Sequence, residues 1–133
     1  MDRTFWYCTS LTAAPTIPNG VTSMECTFQN CTSLKTYVRS TDTDGDFSNY
    51  IIPNSVTSMY CTFKSCTYLT TAPAIPISVT DMYYTFWGCT SLTGTIEVNA
   101  NPTYYSDCLK STQITGITGS CSQETKNNLM ATK

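Results

Sequence analysis

One phrase of the sequence is spelled four times, and this repetition constrains the fold more than any local feature. Met is followed by Thr-Phe three and four residues later, then by Cys at seven, Thr at eight and Leu at ten. The copies begin at Met1, Met24, Met59 and Met82, at intervals of 23, 35 and 23 residues. Self-similarity at such a period predicts a solenoid, in which each short unit buries its apolar side against its neighbours.

The 133 residues are predicted to form a single repeat domain. Its parts are residues 1–23, 24–58, 59–81 and 82–98, followed by a degenerate repeat and C-terminal cap in 99–133. The second copy is longer than the others by twelve residues (35 − 23), and this surplus lies within 35–52. Two β-prone runs surround an Asp-Gly pair there, which predicts an inserted β-hairpin.

Apolar residues at the repeated positions form the predicted core. Met, Phe and Cys at spacings of four and three fit one face of a short helical turn, and a Val re-enters the core before the next Met. The predicted core residues are Met24, Phe28, Cys31, Leu34, Val56, Met59, Phe63, Cys66, Leu69, Val79, Met82, Phe86, Cys89 and Leu92.

The last part of the chain departs from this pattern. Tyr105 and Cys108 keep the Phe-to-Cys spacing of three, which indicates a fifth, degenerate copy. The segments 93–98 and 114–117 are predicted strands, and 122–130 is a predicted terminal helix because Ser120 is followed by Gln and Glu.

The eight cysteines follow the repeat, since Cys8, Cys31, Cys66 and Cys89 share one position and Cys108 extends that column. Such spacing argues against a zinc site, which needs closely paired ligands. The favoured interpretation is a ladder of buried thiols acting as small apolar side chains. Disulfides are the alternative. The first pair to consider is Cys26 with Cys61, because equivalent positions on adjacent turns can lie within bridging distance.

Composition excludes several classes of function. Only 12% of residues are charged and the net charge is −2, so no basic patch exists for a nucleic acid. The sequence contains no run of 18 apolar residues, so membrane insertion is not predicted. The first residues do not have the pattern of a signal peptide. Without histidine there is no Ser-His or Cys-His pair, and the acids are scattered. We therefore expect no enzymatic activity and no cofactor.

The phrases Phe-x-x-Cys-Thr-Ser-Leu, Ile-Pro-Asn-Ser-Val-Thr-Ser and Met-x-x-Thr-Phe together resemble the BspA-like leucine-rich-repeat family, in a Met-rich variant of its repeat. This family occurs in surface proteins of gut and oral bacteria and of some protozoa. The resemblance covers residues 1 to about 98. It implies an α/β solenoid. Combined with the repeat spacing, the prediction is a short leucine-rich-repeat-type solenoid with a parallel β-sheet, about five turns of 23 residues, one inserted hairpin and a C-terminal cap. The resemblance predicts the function as well, since it implies adhesion or protein recognition at the cell surface or after secretion.

Aromatic residues are the strongest candidates for binding. The second and sixth positions of each copy are four residues apart and should share a face directed away from the core. Exposed Tyr and Trp are typical binding anchors. The favoured interpretation, however, is that these rings pack on neighbouring turns and stay half-buried. The candidate residues are Tyr60, Tyr83, Trp87 and Trp6 on this face, and Tyr37 and Tyr50 in the hairpin.

Two weaker patterns have simpler explanations. Asp42, Asp44 and Asp46 alternate around a Gly and hint at calcium, but their spacing does not match an EF-hand loop, and a solvated hairpin tip is favoured. A column of threonines could suggest ice binding, but such columns more often hydrogen-bond to turn backbone.

The predicted function is a non-enzymatic protein- or glycan-recognition module, part of a bacterial surface or secreted adhesin. Its ligand would contact the solenoid face and the hairpin. The alternative is a structural component, such as a phage or appendage part. That component would dock or self-associate through its first repeat, near Met1 to Leu11.

Overall fold

Regular secondary structure is sparse in this protein. The computed structural model describes residues 1–35 and 52–133. Its regular elements are strand β1 (Thr93–Glu97), strand β2 (Gln113–Thr118) and helix α1 (Gln123–Met130). The prediction of an α/β leucine-rich-repeat-type solenoid with five turns and a continuous parallel sheet is therefore wrong. The sheet within the described residues has two strands, β1 and β2, which are parallel, and elsewhere only isolated β-bridges occur.

The segment that follows each Met is a series of turns because left-handed residues recur in it. The third and seventh residues of every copy have φ between +52° and +75°. An α-helix needs φ near −63°, so a left-handed residue at every fourth position ends helical hydrogen bonding after one turn. These residues are Arg3 and Tyr7, Cys26 and Asn30, Cys61 and Ser65, Tyr84 and Gly88, and Asp107 and Ser111.

Alternate backbone N–H groups in these segments donate to the next copy instead of to their own. Four such bonds, each 2.9 Å long, join the N–H of Phe5, Phe28, Phe63 and Phe86 to the carbonyls of Thr27, Thr62, Thr85 and Cys108. Similar bonds precede and follow each of these along the segment. The copies are thus layers of turn structure that share backbone hydrogen bonds, which satisfies polar groups that would otherwise be buried without partners.

The core consists of columns of identical side chains. All fourteen predicted core residues are at most 1% exposed. The rings of Phe5, Phe28, Phe63 and Phe86 form one column, with centroids 5.4–5.5 Å apart and planes within 8° of parallel. Such offset stacks of aromatic rings are favourable beyond the area that they bury.

Two polar columns lie beside the phenylalanines and connect the layers. The buried hydroxyl groups of Thr27, Thr62 and Thr85 donate to the carbonyl of the Met in the preceding copy, at 2.7–3.0 Å. The thiols of Cys31, Cys66 and Cys89 donate to the carbonyl of the Phe in the preceding copy, at 3.0 Å. The repeated Thr and Cys therefore act as side-chain links between layers.

The last layer is aligned differently from the sequence prediction. The N–H of Phe86 donates to the carbonyl of Cys108, just as the N–H of Phe63 donates to that of Thr85. Cys108 therefore occupies the column of buried threonines, and the prediction that it extends the cysteine column is wrong. Leu109 takes the place of the phenylalanine, and a period of 23 is kept (85 + 23 = 108).

The predicted C-terminal strands and helix are confirmed within two residues at each end. β1 and β2 pair with an irregularity between Gly94 and Thr95. Ser122 caps α1, accepting a 3.1 Å hydrogen bond from the N–H of Thr125, as expected of an N-cap serine. Leu129 of α1 is buried in the core. The predicted hairpin within 35–52 falls almost entirely in residues 36–51, which lie outside the described residues together with Tyr37, Tyr50, Asp42, Asp44 and Asp46.

Candidate binding site

One surface of the stacked layers carries the side chains that do not enter the core. It is formed by the second, third, sixth and seventh residues of each copy, and we call it the turn face. In the second to fourth copies the first, fourth, fifth and eighth residues are buried in the core instead. In order of copy, its residues are Asp2, Arg3, Trp6, Tyr7; Glu25, Cys26, Gln29, Asn30; Tyr60, Cys61, Lys64, Ser65; Tyr83, Tyr84, Trp87, Gly88; and Ser106, Asp107, Lys110, Ser111.

Four aromatic rings meet in the third and fourth layers. Tyr60 stacks on Tyr83 with centroids 5.7 Å apart and planes 10° from parallel. Tyr84 lies edge-on to Tyr83 at 4.2 Å and edge-on to Trp87 at 6.4 Å. All four are half-buried, so each keeps part of its surface in solvent. The structure thus brings three predicted site residues together, and Tyr84 joins them.

Lys64 is the cation of this cluster. Its Nζ lies 5.0 Å from the ring centroid of Tyr84 and 5.0 Å from that of Trp87. Both distances are within the range of cation–π attraction, which holds the ammonium group over the rings without neutralising its charge. Contact with the Tyr83 hydroxyl raises the pKa of Tyr84 to about 12, so this phenol is neutral at physiological pH.

A pocket of about 250 Å³ opens between the first and third layers, and we call it the cationic pocket. It exists because the third position is a small cysteine in the second and third copies, between Arg3 and Tyr84. The guanidinium of Arg3 lies 6.0 Å from the ring of Trp6 at one side. The residues that line the pocket are Arg3, Trp6, Cys26, Gln29, Tyr60, Cys61 and Lys64.

A second pocket of about 280 Å³ lies beside the first and shares Tyr60 with it. We call it the tyrosine pocket, since its walls are Tyr60, Tyr83 and Tyr104. Asp81 completes the lining, and its carboxylate accepts a 2.9 Å hydrogen bond from the backbone N–H of Tyr83. Tyr104 is 62% exposed and forms the outer wall.

Two small cysteine side chains, Cys26 and Cys61, form part of the turn face. All eight cysteines are free, and seven are buried. Burial raises the pKa of Cys61 to about 11, although the nearby charge of Lys64 opposes the rise. A thiol nucleophile must be ionised, so Cys61 is not an activated nucleophile at neutral pH.

The predicted site residues fall into two groups in the structure. Tyr60 touches both pockets, Tyr83 and Trp87 belong to the aromatic cluster, and Trp6 lies in the cationic pocket. Tyr37 and Tyr50 are outside the part of the chain that the structure describes.

Sequence reasoning missed Arg3, Tyr84 and Tyr104 and did not place Lys64 in the site. The helical interpretation put the third position off the binding face. Because Arg3 and Tyr84, as third residues, have a positive φ, their side chains lie on that face instead. The sequence signal that could have indicated Tyr84 is its position directly after Tyr83 and three residues before Trp87.

Neither a metal-holding group nor a membrane-spanning helix is formed by residues 1–35 and 52–133. These residues contain no group of three or more His, Cys, Asp or Glu side chains placed to hold a metal ion. No helix among them has the length and apolar character needed to cross a membrane. The chain matches no protein-family model, no curated protein and no solved structure.

Proposed function

We propose that this chain is a non-enzymatic recognition module that binds a protein or glycan ligand on its turn face. The observation that carries the proposal is the half-buried cluster of Tyr60, Tyr83, Tyr84 and Trp87 with Lys64 held over it. Rigid aromatic rings with few rotatable bonds lose little entropy on binding and bury a large area, which makes them effective anchors.

The presence of two adjacent pockets favours an extended ligand rather than a single small molecule. Each is smaller than the roughly 300–1,000 Å³ usual for pockets that enclose drug-sized ligands. Together they form a path across the layers, with Tyr60 between them. We propose a bacterial surface or secreted adhesin as the setting, because the repeated phrases resemble those of BspA-like surface proteins.

Binding to immobilised mucin and to a panel of immobilised polysaccharides tests the proposal. Mucin presents both polypeptide and glycan, so it samples both ligand classes. Purified protein is measured by biolayer interferometry beside the double variant Tyr83→Ala/Trp87→Ala. The wild type should bind at least one probe, and the double variant should bind that probe at least about tenfold more weakly, as expected for the loss of two aromatic anchors.

Tyr68→Ala is the matched control, because Tyr68 is 61% exposed but lies outside the turn face. It should bind as the wild type does. The proposal is refuted if the wild type binds none of the probes, or if the double variant binds as tightly as the Tyr68 variant. Unfolding curves of all three proteins verify that each is folded.

A second function is favoured by the first layer. Met1, Phe5, Cys8 and Leu11 are half-buried, whereas their equivalents in the second layer are fully buried. We propose as the alternative that the module is a structural component and that two copies associate through these side chains. Sedimentation velocity should then show a concentration-dependent dimer that Phe5→Ser abolishes. A monomer at all concentrations would eliminate this alternative.

A further inference from the structure

The two pockets on the turn face differ in charge although they share a wall. Among the described residues, Arg3 and Lys64 line the cationic pocket and no acidic side chain does. In the tyrosine pocket the charges are reversed, since its lining in the described part of the chain has Asp81 and no cation. Because the chain as a whole has a net charge of −2, a local excess of two cations is unusual within it.

The two cations are available to a ligand. Among the described residues, the salt bridges join the N-terminal amine to Asp2 and Lys110 to Asp107, and neither includes Arg3 or Lys64. Both cations rest on aromatic rings instead. Cation–π contacts leave the N–H groups free to donate, and the arginine guanidinium can bind a carboxylate through two parallel hydrogen bonds.

The remaining walls of the cationic pocket suit a ring with hydroxyl groups. Trp6 and Tyr60 offer apolar surface, against which the C–H face of a sugar ring can pack. The amide of Gln29 both donates and accepts hydrogen bonds. The buried thiols of Cys26 and Cys61 form a small, weakly polar floor.

The tyrosine pocket suits a neutral ring. The carboxylate of Asp81 would accept hydrogen bonds from hydroxyl groups and would repel a second carboxylate. Tyr60 and Tyr83, stacked on each other, present a continuous aromatic wall. A polysaccharide that passes over Tyr60 would therefore place one unit in the cationic pocket, which favours an anion, and the next unit in the tyrosine pocket, which disfavours an anion.

We propose that the turn face binds an acidic polysaccharide in which a uronic acid occupies the cationic pocket and the adjacent neutral sugar occupies the tyrosine pocket. This inference rests on the proposed function and narrows its ligand to one class of glycan. An acidic peptide supplies carboxylates but no rings for the aromatic walls, so it is an outcome that the test must exclude.

Isothermal titration calorimetry with a hyaluronan hexasaccharide provides the test, because this probe alternates a uronic acid with a neutral sugar. Dextran, which is neutral, and poly-L-glutamate, which has carboxylates without rings, are the comparison probes. Hyaluronan should bind at least about tenfold more tightly than either, since losing a charge-assisted or stacking contact costs at least that factor. Its binding should weaken with added salt, as expected of exposed charges.

Charge-removing variants locate the binding. Arg3→Gln and Lys64→Gln should each weaken hyaluronan binding about tenfold, the factor expected for one charge-assisted hydrogen bond. Lys126→Gln is the control, because it removes one positive charge from helix α1, outside the turn face and both pockets. It should bind within about twofold of the wild type.

Three results would overturn the inference: equal binding of dextran, equal binding of poly-L-glutamate, or unchanged hyaluronan binding by both Arg3→Gln and Lys64→Gln. Its failure is separable from that of the proposed function. If the Tyr83→Ala/Trp87→Ala variant loses binding to mucin or dextran while the two charge variants keep it, the recognition module stands and the acidic ligand is wrong. If the wild type binds no probe in either experiment, both proposals fail.

Discussion

The phenol rings of Tyr60 and Tyr83 stack 5.7 Å apart and 10° from parallel, although 23 residues separate them in the chain. The same arrangement holds for the phenylalanine column in the core, at 5.4–5.5 Å. The stacking period is therefore imposed by the backbone bonds between layers, and the side chains on both sides of the backbone follow it. The spacing of the tyrosine rings that a ligand would contact is thus fixed by the same interlayer bonds that space the phenylalanines of the core.

A double-mutant cycle on Tyr60 and Tyr83 measures this relationship. We expect Tyr60→Ala and Tyr83→Ala to destabilise the protein by less together than the sum of the two single changes. The coupling should be about 0.5–1.5 kcal/mol, the usual value for an aromatic pair. Urea unfolding of the four proteins checks this. Additive effects would show that the rings are independent in solution.

Loss of a buried interlayer hydroxyl should be measurable in Thr62→Val. Thr62 is fully buried and donates to the carbonyl of Met24 at 2.9 Å. That carbonyl also accepts from the N–H of Thr27, so it is not left without a partner. We expect a loss of about 1 kcal/mol in the free energy of unfolding.

Thr57→Val is the control for that change. Thr57 makes an analogous bond to the carbonyl of Thr22 at 3.2 Å, but it is exposed. Its replacement should alter stability by less than about 0.5 kcal/mol, because water replaces the lost bond. If Thr62→Val and Thr57→Val lower the free energy of unfolding equally, burial of the hydroxyl does not explain how the buried threonines stabilise the protein.

Gly119 makes a close approach that no other residue would tolerate. Its φ is +96°, and a Cβ there would collide with the backbone carbonyl of Val98. Gly119→Ala should therefore destabilise the C-terminal region by several kcal/mol, more than the roughly 1 kcal/mol expected from positive φ alone. Thermal unfolding measures the difference.

Gly20→Ala separates the two causes. Gly20 has a nearly equal φ of +92°, but a Cβ there would meet no atom within 4 Å. Its substitution should cost only the conformational strain. Equal losses for Gly20→Ala and Gly119→Ala would mean that the contact with Val98 is relieved by small movements.

The buried thiols predict that stability falls in alkaline solution. Burial raises the pKa of Cys31 to about 11 and that of Cys89 to about 12, and it also raises the pKa of Cys66. An unfolded thiol ionises near pH 8.5. Since the unfolded chain releases protons first, the stabilisation is complete below about pH 8.5 and is lost as pH rises towards 11–12. Each such thiol contributes a slope of about 1.4 kcal/mol per pH unit in that window.

Urea unfolding under reducing conditions at pH 7, 8.5, 9.25 and 10 checks this expectation. The free energy of unfolding should be flat from pH 7 to about 8 and should then fall with increasing pH. The double variant Cys66→Ala/Cys89→Ala should show a shallower fall, whatever its stability at neutral pH. A stability that rises with pH, or a slope unchanged in this variant, would contradict the expectation.

The repeat, the core columns and the C-terminal elements could be predicted from sequence because they depend on periodicity. Phe63, Cys66 and Leu69 recur at fixed spacing and are all buried. The backbone conformation could not be predicted in this way. Apolar residues at spacings of three and four match a helix, but the same spacing fits two turns joined by a left-handed residue. The deciding residues, Cys26 and Cys61, are not types that favour positive φ, and only the stacked neighbours stabilise it.

The candidate site was predictable only in part for the same reason. Tyr60, Tyr83 and Trp87 follow from the second and sixth positions. Arg3 and Tyr84 reach the turn face through the third position, which a helix would have directed elsewhere. The pockets also depend on which side chains are small in the neighbouring layers, and this is a property of the stack that no single copy contains.

The left-handed residues also set a rule for how this surface can diverge. The third and seventh positions hold Arg, Tyr, Cys, Asn, Ser, Gly and Asp, but no Val, Ile or Thr, although threonine is frequent elsewhere in the chain. Branching at Cβ is especially costly at positive φ. The second and sixth positions have no such limit. The interlayer bonds use main-chain atoms, so side chains of the turn face can be replaced without removing the hydrogen bonds that hold the layers together.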